Sequence, residues 1–127
     1  MANEKDQDTA LKPLLPLIGE KGVQRIIEYR GYRDGWDKGR GRSLQSASLR
    51  MLVELAGYLP TLPVMPDVVL THDGNISLVF TDLAGKSVEL DMLPDGYYLY
   101  SEGLDNLERE FDKGERKDLL ALLRKLV

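Results

Sequence analysis

Hydrophobic positions in this chain follow two rhythms, one of three and four residues and one of two. The first covers residues 17–30, where Leu17, Ile18, Val23, Ile26, Ile27 and Tyr29 share one side and predict a helix that Gly31 stops. Gly19 and Gly22 weaken that helix, and Pro13 and Pro16 ahead of it allow only a short turn or a helix start. A second helix is predicted over 43–59. Ser43 is placed to cap it, and Leu44, Ser48, Met51, Leu52, Leu55 and Leu59 keep the helical spacing until Pro60. Residues 1–11 are mostly polar and read as flexible.

The two-residue rhythm follows a proline-rich connector at 61–66. Residues 67–72, 75–81, 86–93 and 97–101 read as strands, and the links between them are hairpin chemistry: Asp73 and Gly74, then 82–85, then Pro94, Asp95 and Gly96. Links this short make neighbouring strands antiparallel, so 67–101 is a meander. A two-residue turn at 73–74 would pair Val69 with Leu78. A loop over 82–86 would pair Phe80 with Val88 and Leu78 with Leu90, and a turn at 94–96 would pair Leu93 with Tyr97. This register puts Val69, Ile76, Leu78, Phe80, Val88, Leu90, Met92, Tyr98 and Tyr100 on a face that helices must cover. Val68, Leu70, Ser77, Val79, Glu89, Asp91, Tyr97 and Leu99 fall on the other.

Helical spacing returns at the C-terminus. Asp105 and Glu108 have the spacing of a capping box ahead of Leu104, Leu107 and Phe111, and Leu119, Leu120, Leu122, Leu123, Leu126 and Val127 form a broad apolar stripe after Gly114. The predicted fold is therefore α+β: a four-stranded antiparallel β-meander with two N-terminal helices and C-terminal helices packed on one face. A single domain over residues 1–127 is expected.

Composition narrows the classes. With 43% hydrophobic and 30% charged residues, the chain can bury a core of ordinary size. Cys is absent, which excludes disulfides, thiol nucleophiles and thiolate metal sites and suits a reducing compartment. No basic segment precedes an apolar run at the N-terminus, and no apolar run is long enough for a membrane span, so a cytoplasmic protein without membrane contact is expected. The net charge of −4 divides unevenly: residues 1–60 hold 10 Lys+Arg against 8 Asp+Glu, and residues 61–127 hold 7 against 13. An acidic back half argues against a broad nucleic-acid footprint but permits a local basic patch.

That patch lies at 31–42, GYRDGWDKGRGR, which holds four glycines, the single Trp and four cations. Tyr32, Arg33, Trp36, Lys38, Arg40 and Arg42 are the candidate binding residues: the cations suit carboxylates or phosphates, Trp36 suits an apolar anchor, and the glycines suggest a mobile clamp. The competing interpretation is a plain connector with Trp36 in the core. The glycine spacing matches neither a phosphate loop nor a dinucleotide fingerprint. His72, the single histidine, reads as structural, the turn aspartates serve local hydrogen bonds, and the serines at 43, 46 and 48 belong to a helix start. No catalytic, metal or cofactor signature is visible. Ser77, Glu89, Asp91 and Tyr97 form a secondary candidate face, and the stripe at 119–127 could be core or the seam of a homodimer.

Trp36 and Asp37, the Gly39 to Arg42 run, the following helix, the proline connector and the run HDGNISLVF from His72 to Phe80 together resemble a loose class of small bacterial proteins. In that class a Trp-Asp-Gly-rich loop precedes a helix, a proline connector and a strand of the type dG-x-I-x-L-x-W. The resemblance spans roughly residues 31–100, with Arg42 where a small residue is usual and Phe80 where Trp is common. It implies a fold and a bacterial or phage origin, and brings no catalytic residues. The expected function is a non-enzymatic protein-binding module, such as an antitoxin, an immunity protein or a phage-encoded inhibitor of a host or defence complex. A nucleic-acid-associated regulator using the Arg- and Gly-rich loop is the alternative.

Overall fold

The computed structural model describes residues 10–58, 62–103 and 107–127. A 3-10 turn, Lys12–Leu14, leads into helix α1, Leu15–Arg30, whose backbone leaves helical geometry at Gly19 (φ 71°, ψ 177°). Helix α2 is Ser46–Ala56. The strands are β1 (Asp67–Leu70), β2 (Ile76–Thr81), β3 (Ser87–Met92), β4 (Gly96–Ser101) and β5 (Leu107–Asp112), and helix α3, Arg116–Leu126, closes the chain. The strands form one antiparallel sheet in chain order. The architecture is α+β as expected, but the sheet has five strands rather than four and the described helices number three.

The added strand is the segment expected to be helical. Leu107 and Phe111 are four apart, which puts them on one side of a helix and equally on one face of a strand. Pairing decides the matter: residues Leu107 to Asp112 form a continuous ladder with Ser101 to Gly96 of β4. Leu104 and Asp105 lie outside the described residues. The capping-box chemistry appears instead at Asp112, whose carboxylate accepts from Gly114 N–H at 2.8 Å while its own N–H donates to Glu115 at 3.1 Å.

The register of β2 on β3 is as expected, with Phe80 opposite Val88 and Leu78 opposite Leu90. Two other pairings slip by one residue, and a slip of one reverses the faces. Val68, not Val69, stands opposite Leu78, because the β1–β2 link is a three-residue loop. Thr71 N–H bonds Asn75 O, Gly74 N–H bonds Thr71 O, and Gly74 takes the left-handed φ of 82° that such a loop needs. Met92, not Leu93, stands opposite Tyr97, because Pro94 and Asp95 alone make the turn and Leu93 N–H bonds Gly96 O.

The covered face therefore carries Val68, Leu70, Tyr97 and Leu99 with Ile76, Leu78, Phe80, Val88, Leu90 and Met92, all buried. Val69 is 41% exposed, and Tyr98 and Tyr100 turn to the opposite face. Three helices supply the other half of the core, including Ile18 and Ile26 of α1, Leu52 and Leu55 of α2, and Leu119 and Leu123 of α3. Leu11 joins them at 1% exposure. In α3, Leu120 and Leu126 are also buried, and Leu122 and Val127 pack partly against the core. Most of the apolar stripe thus packs against the core.

Polar links join the layers. Ser48 on α2 donates to Met92 O at 2.6 Å and accepts from Ile76 N–H at 2.8 Å. Tyr97 donates to Met51 O at 3.2 Å and accepts from Arg116 Nε at 2.7 Å, and Arg116 also bonds Glu54. Burial pushes the Tyr97 phenol up, with Arg116 acting in the opposite sense.

Candidate functional site

The segment from Gly31 to Arg42 is a folded knuckle. Asp37 and Arg40 exchange both backbone hydrogen bonds at 2.9 Å, with Lys38 (φ 51°) and Gly39 (φ 90°) forming a two-residue turn at the tip. Gly35 N–H bonds Gly41 O at 2.7 Å below it. Trp36 closes the structure by donating its indole N–H to Arg42 O at 2.8 Å. Gly41 is required there: its φ is 90°, and a Cβ would lie 2.6 Å from the Trp36 ring. The glycines that suggested a mobile clamp instead let the backbone fold tightly around one indole.

The knuckle docks on the β1–β2 turn. Arg42 N–H donates to His72 O at 2.9 Å and Gln45 N–H donates to Gly74 O at 2.8 Å. Ser43, expected to cap α2, gives its N–H to Asp34 Oδ1 at 2.8 Å, and the helix begins at Ser46 with Gln45 at its N-cap. The hydrogen bonds from the Ser43 backbone and hydroxyl hold the Asp34 carboxyl below the usual carboxylate range, with Arg42 adding a smaller effect.

His72 lies 2.8 Å from Asp37 through Nε2 and Oδ2, with Nε2 the donor because an ionised carboxylate only accepts. Its ring meets Trp36 edge-on at 5.6 Å, continuing a row in which Trp36 lies tilted against Tyr32 at 5.6 Å and Tyr32 meets Tyr29 edge-on at 5.5 Å. Tyr29 anchors the row by donating to Val68 O at 2.8 Å. Burial is the first cause pushing the Tyr29 phenol up.

Tyr32, Arg33, Trp36, Lys38, Arg40 and Arg42 are thus gathered on one braced element. Tyr32 and the four cations are exposed, and Trp36 is partly buried against the core. Among the described residues, Arg33, Lys38, Arg40 and Arg42 make no ion pair. The segment's two carboxylates are engaged within the knuckle, Asp34 by Ser43 and Asp37 by His72, whereas its four cations are left without ion pairs among the described residues. His72 and Asp37 were not legible as members of this site, because the contact joins residues 35 apart and exists only once the turn docks.

The secondary face is divided. Ser77, Glu89 and Asp91 share the outer side of the sheet, with Ser77 buried, but Tyr97 is fully buried on the opposite side. Tyr98, Tyr100, Asp67, Glu108 and Glu110 belong to the outer side instead. Among the described residues no group of His, Asp or Glu converges in a way that could hold a metal ion, and no helix is long and apolar enough to cross a membrane. No protein-family model, curated protein or solved structure matches the chain.

Proposed function

We propose that this protein is a non-enzymatic binding module that grips an acidic patch on a partner protein through its knuckle, in the manner of an antitoxin, an immunity protein or a phage-encoded inhibitor. One observation carries the reading: four exposed cations without ion pairs among the described residues stand on a backbone braced by Asp34, Trp36 and His72. A braced backbone loses little freedom on binding, so charge-assisted contacts from Arg33, Arg40 and Arg42 are retained as affinity. Tyr32, 38% exposed beside them, adds a ring for apolar contact. Lys38 supports the same reading. A lysine in left-handed backbone at a two-residue turn occupies a place where Asn or Gly is the relaxed choice, and such strain concentrates at functional sites.

The test is affinity purification of the partner with the parent protein, then titration against an Arg33→Ala, Arg40→Ala, Arg42→Ala variant. The variant keeps the parent's melting temperature and binds at least tenfold more weakly, about 1.4 kcal/mol. A variant that binds as tightly as the parent reduces the knuckle to a connector. Cations beside an aromatic ring also suit a nucleic-acid backbone, the second reading. Recovery of RNA or DNA whose binding weakens steeply as salt rises would select it over a protein partner.

A further inference from the structure

The outer side of the sheet carries a second surface with chemistry opposite to the knuckle. Register aligns Asp67, Val79, Glu89, Tyr100 and Glu108 in one row across the five strands, and Val69, Ser77, Asp91, Tyr98 and Glu110 in the next. Neither row contains Lys or Arg. Lys21 and Arg25 border Asp67 at the β1 end, but the β3–β5 end is purely acidic: Tyr98 stands between Asp91 and Glu110, and Tyr100 between Glu89 and Glu108. Among the described residues none of these carboxylates forms an ion pair. Partial burial first, then a hydrogen bond with Glu108 and the Glu108, Asp91 and Glu110 charges, push the Tyr98 phenol up.

The same chain shows what such a combination holds. The Arg116 guanidinium lies 5.3 Å from the Tyr58 ring and 5.7 Å from Tyr97 while pairing with Glu54, and Arg109 lies 4.3 Å from the Phe111 ring while pairing with Glu115 at 3.6 Å. Twice, an aromatic face and a carboxylate together seat an arginine. On the outer face the ring and the carboxylates are present, and the strands supply no arginine.

We propose that this face docks a basic segment of a partner protein, whose arginine and lysine side chains seat on the Tyr98 ring and pair with Asp91, Glu108 and Glu110. Charge complementarity identifies the occupant: a nucleic acid would be repelled, and carboxylates ranged around a ring with no cation in their rows favour a cationic ligand. The proposal is independent of the knuckle, which faces an acidic partner surface.

The experiment titrates an oligoarginine peptide into four proteins: the parent, a face variant (Asp91→Asn, Glu108→Gln, Glu110→Gln), a control with the same charge change in exposed turns and α3 (Asp73→Asn, Asp95→Asn, Asp118→Asn), and Tyr98→Ala. Thermal melts establish that each is folded. Tyr98→Leu, which also removes the ring, replaces Tyr98→Ala if the latter unfolds, and Tyr98→Phe is titrated as a fifth protein. The face variant is expected to lose at least tenfold in affinity and the control less than twofold. Tyr98→Ala is expected to lose several-fold at unchanged charge, whereas Tyr98→Phe, which keeps the ring, retains binding. Equal losses in face variant and control mean that only net charge matters, and they overturn the proposal. So does a parent-like affinity in Tyr98→Ala. Sedimentation as a dimer that the face variant dissociates would assign the face to a second copy and also overturn it. The Arg33, Arg40, Arg42 variant retains peptide binding, so failure here and failure of the knuckle reading are told apart.

Discussion

At the knuckle, cations stand free of ion pairs among the described residues because both carboxylates of the segment are engaged by Ser43 and His72. On the outer sheet face, carboxylates stand outward because strand alternation puts them there and no strand residue beside them is cationic. The first surface depends on a few specific hydrogen bonds around one indole. The second depends on the packed core beneath it. Single changes should therefore damage the knuckle's geometry readily, whereas the outer face should tolerate substitution as long as the inner face is untouched.

The largest expected effect tests the two sides of the sheet. Leu78→Ala removes a fully buried side chain and should lower unfolding free energy by about 2–5 kcal/mol. Val69→Ala, on the exposed side, should cost less than about 1 kcal/mol, because little of the side chain leaves an apolar environment. Chemical denaturation compares them, and equal costs would mean that the outer face is not open. Next in size is Gly41→Ala. The new Cβ would sit against the Trp36 ring in left-handed backbone, for a loss of about 1–3 kcal/mol and a changed Trp36 fluorescence. An unaltered emission spectrum with unaltered stability would show that the indole is not held as described.

Lys38→Asn should act in the opposite direction, raising stability by about 0.5–1 kcal/mol by relieving the tip of the turn. It also removes a cation of the proposed binding surface, so a stabilised variant with weakened partner binding would link strain to function. A destabilised one would break that link. The smallest effect is a pH dependence. The Asp34 carboxyl has its value lowered from the ordinary 3.8, so its contribution is complete above 3.8 and fades as pH falls through the lower folded value. An acid titration followed by Trp36 fluorescence should show a step in that region that Asp34→Asn abolishes. Persistence of the step in the variant would assign it elsewhere.

Legibility in the sequence followed a physical rule. The β2–β3 register could be read because Glu89 and Asp91 mark one parity of β3 as solvent-facing, leaving Val88, Leu90 and Met92 for the core. The β1 and β4 registers could not, because Val68, Val69 and Leu70, and likewise Tyr97 to Tyr100, are apolar or aromatic at both parities. There the faces were decided by loop length, and one residue reversed them. Strand β5 was hidden for a related reason, since Leu107 and Phe111 satisfy helix and strand alike. The candidate site was legible as composition, Gly, Trp and Arg within twelve residues, but not as geometry.

By itself the sequence determined the α+β class, the meander and its short links, the basic segment and the acidic back half, because each rests on local periodicity, turn residues or charge count. The tertiary structure decided the fifth strand, the direction of Tyr97 against Tyr98, the bracing of the knuckle by Asp34 and Trp36, and the meeting of His72 with Asp37. Those outcomes depend on contacts between distant residues and on which polar groups must find partners once water is removed, and neither is encoded in any local stretch of the chain.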